Sequence, residues 1–230
     1  MKYKNIVEAK FISRPNRFIA HVMIDGMEHV VHVKNTGRCR ELLQPDATVY
    51  LEKSDNPTRK TLYDLVSVKK GERIVNMDSQ LPNGLVEEWL RKSDDAREMF
   101  GGISYIKREK TYGKSRFDLY VESGNRKIFI EVKGVTLEND NVVSFPDAPT
   151  ERGIKHLNEL ICALEDGYEA YVFFVIQMEG VDYFTPAWDK HKAFGDALVN
   201  AYNKGVKVLA YDCKVSENEV RISQAVRVKL

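Results

Sequence analysis

Three residues raise the chemical question. Glu131 and Lys133 stand inside the run "KIFIEVKGV", Lys127 to Val135, among Ile128, Phe129, Ile130, Val132 and Val135. Such a run reads as a buried β-strand, where charges are costly unless paired, metal-bound or reactive. Residues two apart share a strand face, so Glu131 and Lys133 point the same way, flanked by Phe129 and Val135. Asp118 lies in the preceding segment "RFDLYV", with Phe117, Leu119 and Val121 expected on one face and Asp118 on the other. If "SGNR" closes a hairpin, Asp118 comes beside Glu131. Two carboxylates, a backbone carbonyl and water make a hard-oxygen site suited to Mg²⁺ or Mn²⁺. Such an ion lowers the pKa of bound water and polarises a phosphodiester oxygen. A lysine beside it orients the water or stabilises charge on phosphorus. The chemistry expected is hydrolysis of a nucleic-acid phosphodiester, with Asp118, Glu131 and Lys133 as the catalytic set.

Glu-x-Lys alone is a weak signal, since "EAK" at Glu8 and Lys10 repeats it. The plain alternative is a same-face salt bridge worth ~0–1 kcal/mol. Context separates the two triplets: only the second follows an aspartate on a neighbouring strand. Glu87 and Glu88 precede Trp89 on a helix, and Glu88 is the expected third metal ligand, with a solvated helix face as its alternative. A helix from Thr150 carries Arg152, Lys155, His156 and Glu159 off its apolar stripe. Arg152 and Lys155 lie near its N-terminal end, where the helix dipole also favours anions. His156 is read as a phosphate contact or a support behind the ligands, or as a surface histidine. In the first half, "HVKNTGRC" is polar where a strand ends. Arg14, Arg17, Lys34, Asn35, Arg38 and Arg40 are expected to meet DNA phosphates there, with His32, Thr36, Arg59 and Lys60 nearby. Exposed Arg and Lys are more often plain surface.

These residues need a scaffold. Up to about residue 80 the pattern is all-β: "IVEAKFI", "RFIAHVMI", "EHVVHV", "TVYLEK" and "TLYDLVSV", with a hairpin signal at Asp25-Gly26. Five short strands suggest a small closed barrel of OB type, with an SH3-like barrel as alternative. Thr36 is expected to cap a short helix bearing Cys39, Leu42 and Leu43. Pro82-Asn83-Gly84 reads as a turn or linker. The helical segment "LVEEWLRKSDDAREMF" follows, stopped by Gly101-Gly102. Three strands come next, then the helix from Thr150, with Ile154, Leu157, Leu160, Ile161 and Leu164 in an apolar stripe. "EAYVFFVI" reads as a central strand buried on both faces. A helix around "KAFGDALVNAY" and strands "VKVLAY" and "VRISQAVRV" complete the chain. The fold class is α/β (α+β overall): residues 1–80 an OB-like barrel, residues 81–230 an α/β domain with a mixed sheet.

The bulk composition fits this. The chain has 230 residues, 43% hydrophobic and 30% charged, which implies a packed core rather than disorder. No apolar run approaches a membrane span and the N-terminus has no signal-peptide core, so a cytoplasmic protein without membrane partner is expected. Three scattered cysteines suggest neither zinc site nor disulfide framework. Net charge is +1. The first eighty residues hold 14 Lys/Arg against 10 Asp/Glu, which permits a phosphate-rich partner. No Gly-rich phosphate loop or Rossmann fingerprint supports a small-molecule sugar enzyme, and no helix-turn-helix stands out.

Taken together and in this order, "HVKNTGRCRELL", "SRFDLYV", "IFIEVKGVTL" and "FPDAPTERGIKHLNEL" resemble the SfsA family, the sugar fermentation stimulation proteins, over nearly the whole chain. The resemblance implies an N-terminal OB-like domain and a C-terminal domain similar to PD-(D/E)xK nucleases. It also implies sequence-non-specific DNA binding and a proposed regulatory role in sugar (maltose) metabolism. By position, the nuclease motif falls on Asp118, Glu131 and Lys133, without the literal Pro-Asp. The expected cofactor is Mg²⁺ or Mn²⁺ and the expected partner the DNA backbone. A homodimer is allowed.

Overall fold

A computed structural model describes all residues, 1–230. Its first half is a barrel of β1 (Ile6–Ser13), β2 (Ile19–Ile24), β3 (Met27–Val33), β4 (Thr48–Lys53) and β5 (Tyr63–Lys70). The sheet runs β3-β2-β1-β4-β5 and closes where β3 pairs parallel with β5, His32 opposite Asp64 and Val33 opposite Leu65. Alternation decides the inside: Ala20, Val22, Val31, Val33, Val49 and Leu51 are buried in one cluster. Asp25 and Gly26 both take positive φ, 48° and 79°, as a two-residue hairpin turn of the strand-matching hand requires. A sixth short strand, β6 (Arg73–Asn76), extends β5.

The helix expected after Thr36 does not form; residues 36–47 are irregular. Asn35 Oδ1 accepts from the Gly37 N–H at 2.7 Å, a local turn that competes with helix capping. Cys39 then sits at φ 45°. Cys39, Leu42 and Leu43 still bury their side chains in the barrel core.

One polar cluster stiffens the barrel rim. Asp64 is 5% exposed and takes both arms of Arg59, at 2.7 and 2.9 Å, and His32 Nδ1 at 2.9 Å. Lys34 bridges Glu52 (3.3 Å), Asp78 (3.4 Å) and Asp64 (3.9 Å). Burial works against ionisation of Asp64, but the Arg59 and His32 hydrogen bonds and the Lys34 charge outweigh it and hold its carboxyl below the ordinary 3.8. Asp64→Asn should therefore lower stability at pH 7 by about 3 kcal/mol in urea unfolding. A depressed carboxyl pKa stabilises above its unfolded value and loses that effect as pH falls through it. The difference between wild type and variant should shrink below about pH 4.

The second half begins at α1 (Leu81–Lys92), which breaks at Ser93 into α2 (Asp94–Phe100). Pro82, Asn83 and Gly84 are not a linker but the first turn of α1, where proline's missing N–H is harmless. The main sheet holds β7 (Ile103–Tyr112), β8 (Ser115–Ser123), β9 (Arg126–Val135), β12 (Glu169–Ile176), β14 (Lys207–Val215) and β15 (Val220–Ala225), in the order β15-β14-β12-β9-β8-β7. The β9–β12–β14 centre is parallel and the outer pairs are antiparallel, hence a mixed sheet. Helix α1 covers one face; α3 (Glu151–Glu165) and α4 (Trp188–Asn203) lie on the other. Thr150 caps α3, its hydroxyl accepting from the Gly153 N–H at 3.0 Å. A small second sheet, β10 (Leu137–Asn139), β11 (Val142–Phe145), β13 (Tyr183–Pro186) and β16 (Arg227–Val228), occupies what reads in the sequence as polar loops and chain extension. The halves are joined by a buried seam. Gln177 Nε2 donates to Asn76 Oδ1 at 2.8 Å and to the Asp78 carbonyl at 3.1 Å. No helix is long and apolar enough to cross a membrane.

Candidate active site

The site forms where β8 stops pairing with β9. Their ladder ends at Leu119 opposite Ile130. The next N–H on that edge, Val132, is taken instead by the Asp118 carboxylate at 2.8 Å. On the other edge, β7 pairs at Arg108–Leu119 and Lys110–Phe117 but skips Glu109 and Asp118, and Glu109 adopts φ 55°. This interruption breaks the alternation expected of β8. Leu119 and Val121 pack under α1, whereas Phe117 turns to the α3 side and stacks near Phe129, ring centroids 5.0 Å apart. Asp118 thus sits at the twist and is reached from α1, where Asn83 Nδ2 donates to its Oδ1 at 2.9 Å.

Glu131 and Lys133 share the face that their spacing requires. Glu131 is 2% exposed. Its Oε1 accepts from the Lys133 ammonium and is hydrogen-bonded to His156 Nδ1, while its Oε2 is buried with no partner. Arg152 Nε lies 3.4 Å from His156 Nε2. With that nitrogen accepting, the Nδ1 proton points at Glu131. Burial, then the charge of Glu131, push the Asp118 carboxyl above its ordinary value. Burial also acts to raise Glu131, but the His156 hydrogen bond and the Lys133 charge prevail and lower it. The two carboxylates are therefore held apart in proton affinity, Glu131 the more acidic. Gly134 is needed for close approach: a Cβ there would lie 2.6 Å from Gln177 Oε1 and 3.0 Å from Pro82 Cγ.

The donor set fits a hard cation in part. Glu131 Oε2 is an orphaned buried carboxylate oxygen, and both Asp118 oxygens keep lone pairs beyond the bonds they accept. No three His, Cys, Asp or Glu side chains cluster at metal-ligating distance. Glu88, the expected third ligand, is elsewhere: it binds the Met1 ammonium at 3.2 Å and Lys92 at 2.7 Å. Glu87 pairs with Arg91 and Arg108. The reason is helical phase. Leu85 and Trp89 turn α1 onto the sheet, and Asn83, a turn earlier, is what meets Asp118. Of the readings open for His156, the structure takes the support behind Glu131. Asn83 is the residue that sequence reasoning missed, and Pro82 in the first turn of α1 is the signal that could have placed it on a helix.

The proposed phosphate contacts divide. Arg152 and Lys155 are exposed on α3, Lys155 also reaching the Lys114 carbonyl at 3.0 Å. His156 is buried against Glu131 and is not a surface histidine. Lys34 is tied up by carboxylates, and Asn35 is a loop staple, its Nδ2 donating to the Met77 carbonyl at 2.9 Å. His32 and Arg59 are likewise committed to Asp64. Arg14 hydrogen-bonds the carbonyls of Arg17, Asn35, Gly37 and Arg38. Arg17, Thr36, Arg38 and Arg40 are exposed beside it, and Lys60 is exposed on the loop before β5.

Residues 12–77 match the family described as the SfsA N-terminal OB domain. Residues 80–219, more than half of the chain, match the sugar fermentation stimulation protein RE domain. The chain belongs to the sugar fermentation stimulation protein family. Among its relatives in this family are homologs from Ruminiclostridium cellulolyticum, 58% identical over 230 residues with both chains fully covered, and from Clostridium beijerinckii, 56% identical with the same coverage. The solved SfsA of Pyrococcus furiosus, in complex with Ca²⁺, superposes with a TM-score of 0.89 at 26% identity. That match covers 100% of this chain and 98% of the other. Barrel and mixed-sheet domain are thus the architecture of an SfsA protein along its whole length.

Proposed function

We propose that this chain is a cytoplasmic, sequence-non-specific DNA-binding protein that hydrolyses DNA phosphodiesters with a divalent cation, Mg²⁺ or Mn²⁺, at Asp118 and Glu131. One observation carries the reading: a buried carboxylate oxygen without a partner, Glu131 Oε2, on a residue whose charge, together with burial, resists the ionisation of the Asp118 carboxyl. A cation held by these two residues would relieve both. When bound, it supplies charge compensation and polarises the phosphodiester. The Ca²⁺ in the Pyrococcus furiosus relative is an oxygen-seeking ion of the same class.

The chain's own residues do the rest. His156 and Lys133 fix the Glu131 carboxylate from one side and leave Oε2 free. Asn83 and the Val132 N–H fix Asp118. The Lys133 ammonium has three donors and gives one to Glu131, so it keeps others for the attacking water or a non-bridging oxygen. Arg152 and Lys155 stand at the exposed start of α3, suited to backbone phosphate and therefore to salt-dependent, sequence-independent binding.

The test is cleavage of supercoiled and linear DNA with Mg²⁺ or Mn²⁺ and with EDTA. Nicking that requires the ion is expected. A second reading, a DNA-binding regulatory factor of sugar metabolism without catalysis, is favoured by the missing third acid. It predicts retarded DNA in a gel shift and intact plasmid under every condition.

A further inference from the structure

We propose that the arginine cleft of the barrel, formed by Arg14, Arg17, Arg38 and Arg40, is a binding site for single-stranded DNA that leads a free strand toward the Asp118–Glu131 site. This rests on the DNA-binding reading above and adds the substrate class: DNA with an unpaired segment or end.

The cleft is built rather than incidental. Two loop segments, Ser13–Arg17 and Thr36–Arg40, form its walls, with Phe11, Leu43 and Pro45 contributing to the lining. Arg14 locks the walls together through four backbone carbonyls, two on each Nη. A guanidinium held this way keeps its full charge, because carbonyls satisfy its hydrogens without neutralising it. Its Nε is buried with no acceptor. No Asp or Glu lines the cleft. Glu28 is paired with His21, Glu52 with Lys34 and Asp64 with Arg59; Asp147 stands at the edge of the cleft, against Gly37. Four guanidinium groups around one cavity, none of them in an ion pair, form an anion site of the kind arginine serves best.

The cavity is ≈ 500 Å³, the scale of a small-ligand pocket. Phe18, directly after Arg17, is 51% exposed. Phe18 is not part of the lining but follows Arg17, which is; exposed aromatics next to basic grooves are what unpaired bases stack on, and duplex DNA offers no free base face to them.

Position links the cleft to the carboxylates. The Lys34–Arg38 loop is pinned to the start of the second half, Asn35 Nδ2 to the Met77 carbonyl and Ser79 Oγ to the Lys34 carbonyl. Four residues beyond Ser79 stands Asn83, which holds Asp118. At its other side the loop presses on Asp147; a Cβ on Gly37 would lie 2.7 Å from that carboxylate. Asp147 leads into α3, whose Arg152 and His156 stand behind Glu131. One route thus meets the site at Asn83 and the other at His156.

The experiment is fluorescence anisotropy in EDTA with labelled oligothymidylate of about fifteen nucleotides, the span of an OB-fold site, beside a duplex of equal length. It compares wild type, the Arg17→Ala/Arg38→Ala/Arg40→Ala triple variant and Phe18→Ala. Thermal melting checks that each is folded. The triple variant should bind the single strand about 100-fold more weakly, with a salt slope reduced by about 2. Phe18→Ala should lose about tenfold on the single strand. Duplex affinity should change less than about threefold in both. Equal losses on both DNAs, unchanged single-strand binding, or full competition by thymidine monophosphate at matched phosphate concentration would overturn the assignment. Failure of the underlying reading looks different, since wild type would then bind neither DNA.

Discussion

Asp118→Asn is expected to make the metal-free protein more stable and to abolish the proposed DNA cleavage. Asp118 is half-buried and feels the charge of Glu131, and both effects push its carboxyl up, so the folded state resists its ionisation. A neutral isostere removes that penalty and keeps the bonds, since Asn accepts from the Val132 N–H and the Asn83 amide can turn to face its NH₂. The gain in EDTA at pH 7 should be on the order of 1 kcal/mol, about 2–4 °C in Tm for a chain of this length. The sign with pH follows from linkage. An acid whose folded pKa is raised destabilises the fold once pH exceeds its unfolded value of 3.8. The advantage of Asn should therefore vanish toward pH 3–4 and be complete above the folded pKa. Adding Mg²⁺ or Mn²⁺ should reverse the order: wild type gains Tm by binding the ion and the variant does not. Cleavage should fall at least about 10³-fold. A variant melting below wild type in EDTA, or cutting at the wild-type rate, would remove Asp118 from the site.

What the sequence made legible, and what it hid, divides along the range of the interactions. Period-2 alternation is local, so Phe129, Glu131, Lys133 and Val135 emerge on one face as their spacing dictates, and the barrel strands likewise. Thr150 as N-cap and Gly167 at φ 85° past α3 are equally local. The failures are tertiary. Phe117 leaves its expected face because the ladder breaks at Asp118, and that break depends on β7 and β9 together. Lys34 carries the right charge at a strand end, but three acids from β4, β5 and the linker capture it. Glu88 precedes the core tryptophan as a ligand might, yet helix phase and the Met1 ammonium take it to the rim. Short strands such as β13 and β16, four and two residues long, carry too few positions to show a period. His156 illustrates the same limit from the other side. Its place off the apolar stripe of α3 leaves support and surface readings both open, and only its partner Glu131 on the neighbouring strand decides for the buried support.

Glu131→Gln and Lys133→Met should separate ligand from assistant. Glu131 is the single acceptor for two donors, the Lys133 ammonium and His156 Nδ1. Glutamine leaves a side chain only 15% exposed, Lys133, without its hydrogen-bonded counter-charge. That should lower stability by about 3 kcal/mol, about 6–12 °C in Tm, opposite in sign to Asp118→Asn. It should also abolish the Mg²⁺-induced rise in Tm and reduce cleavage at least about 10³-fold. Lys133→Met keeps the apolar stem and removes the charge. Glu131 retains His156, so the fold should hold, and a carboxylate relieved of one partner should bind the divalent ion at least as well as wild type. Cleavage should nevertheless fall about 10²–10³-fold, because the donor aimed at the reacting water or phosphate oxygen is gone. Duplex affinity in EDTA should stay within about twofold, since this lysine is largely buried and already paired. The informative combination is a preserved Mg²⁺ shift with lost cleavage. If Lys133→Met instead cuts like wild type, Lys133 serves only to hold Glu131, and His156 suffices for that.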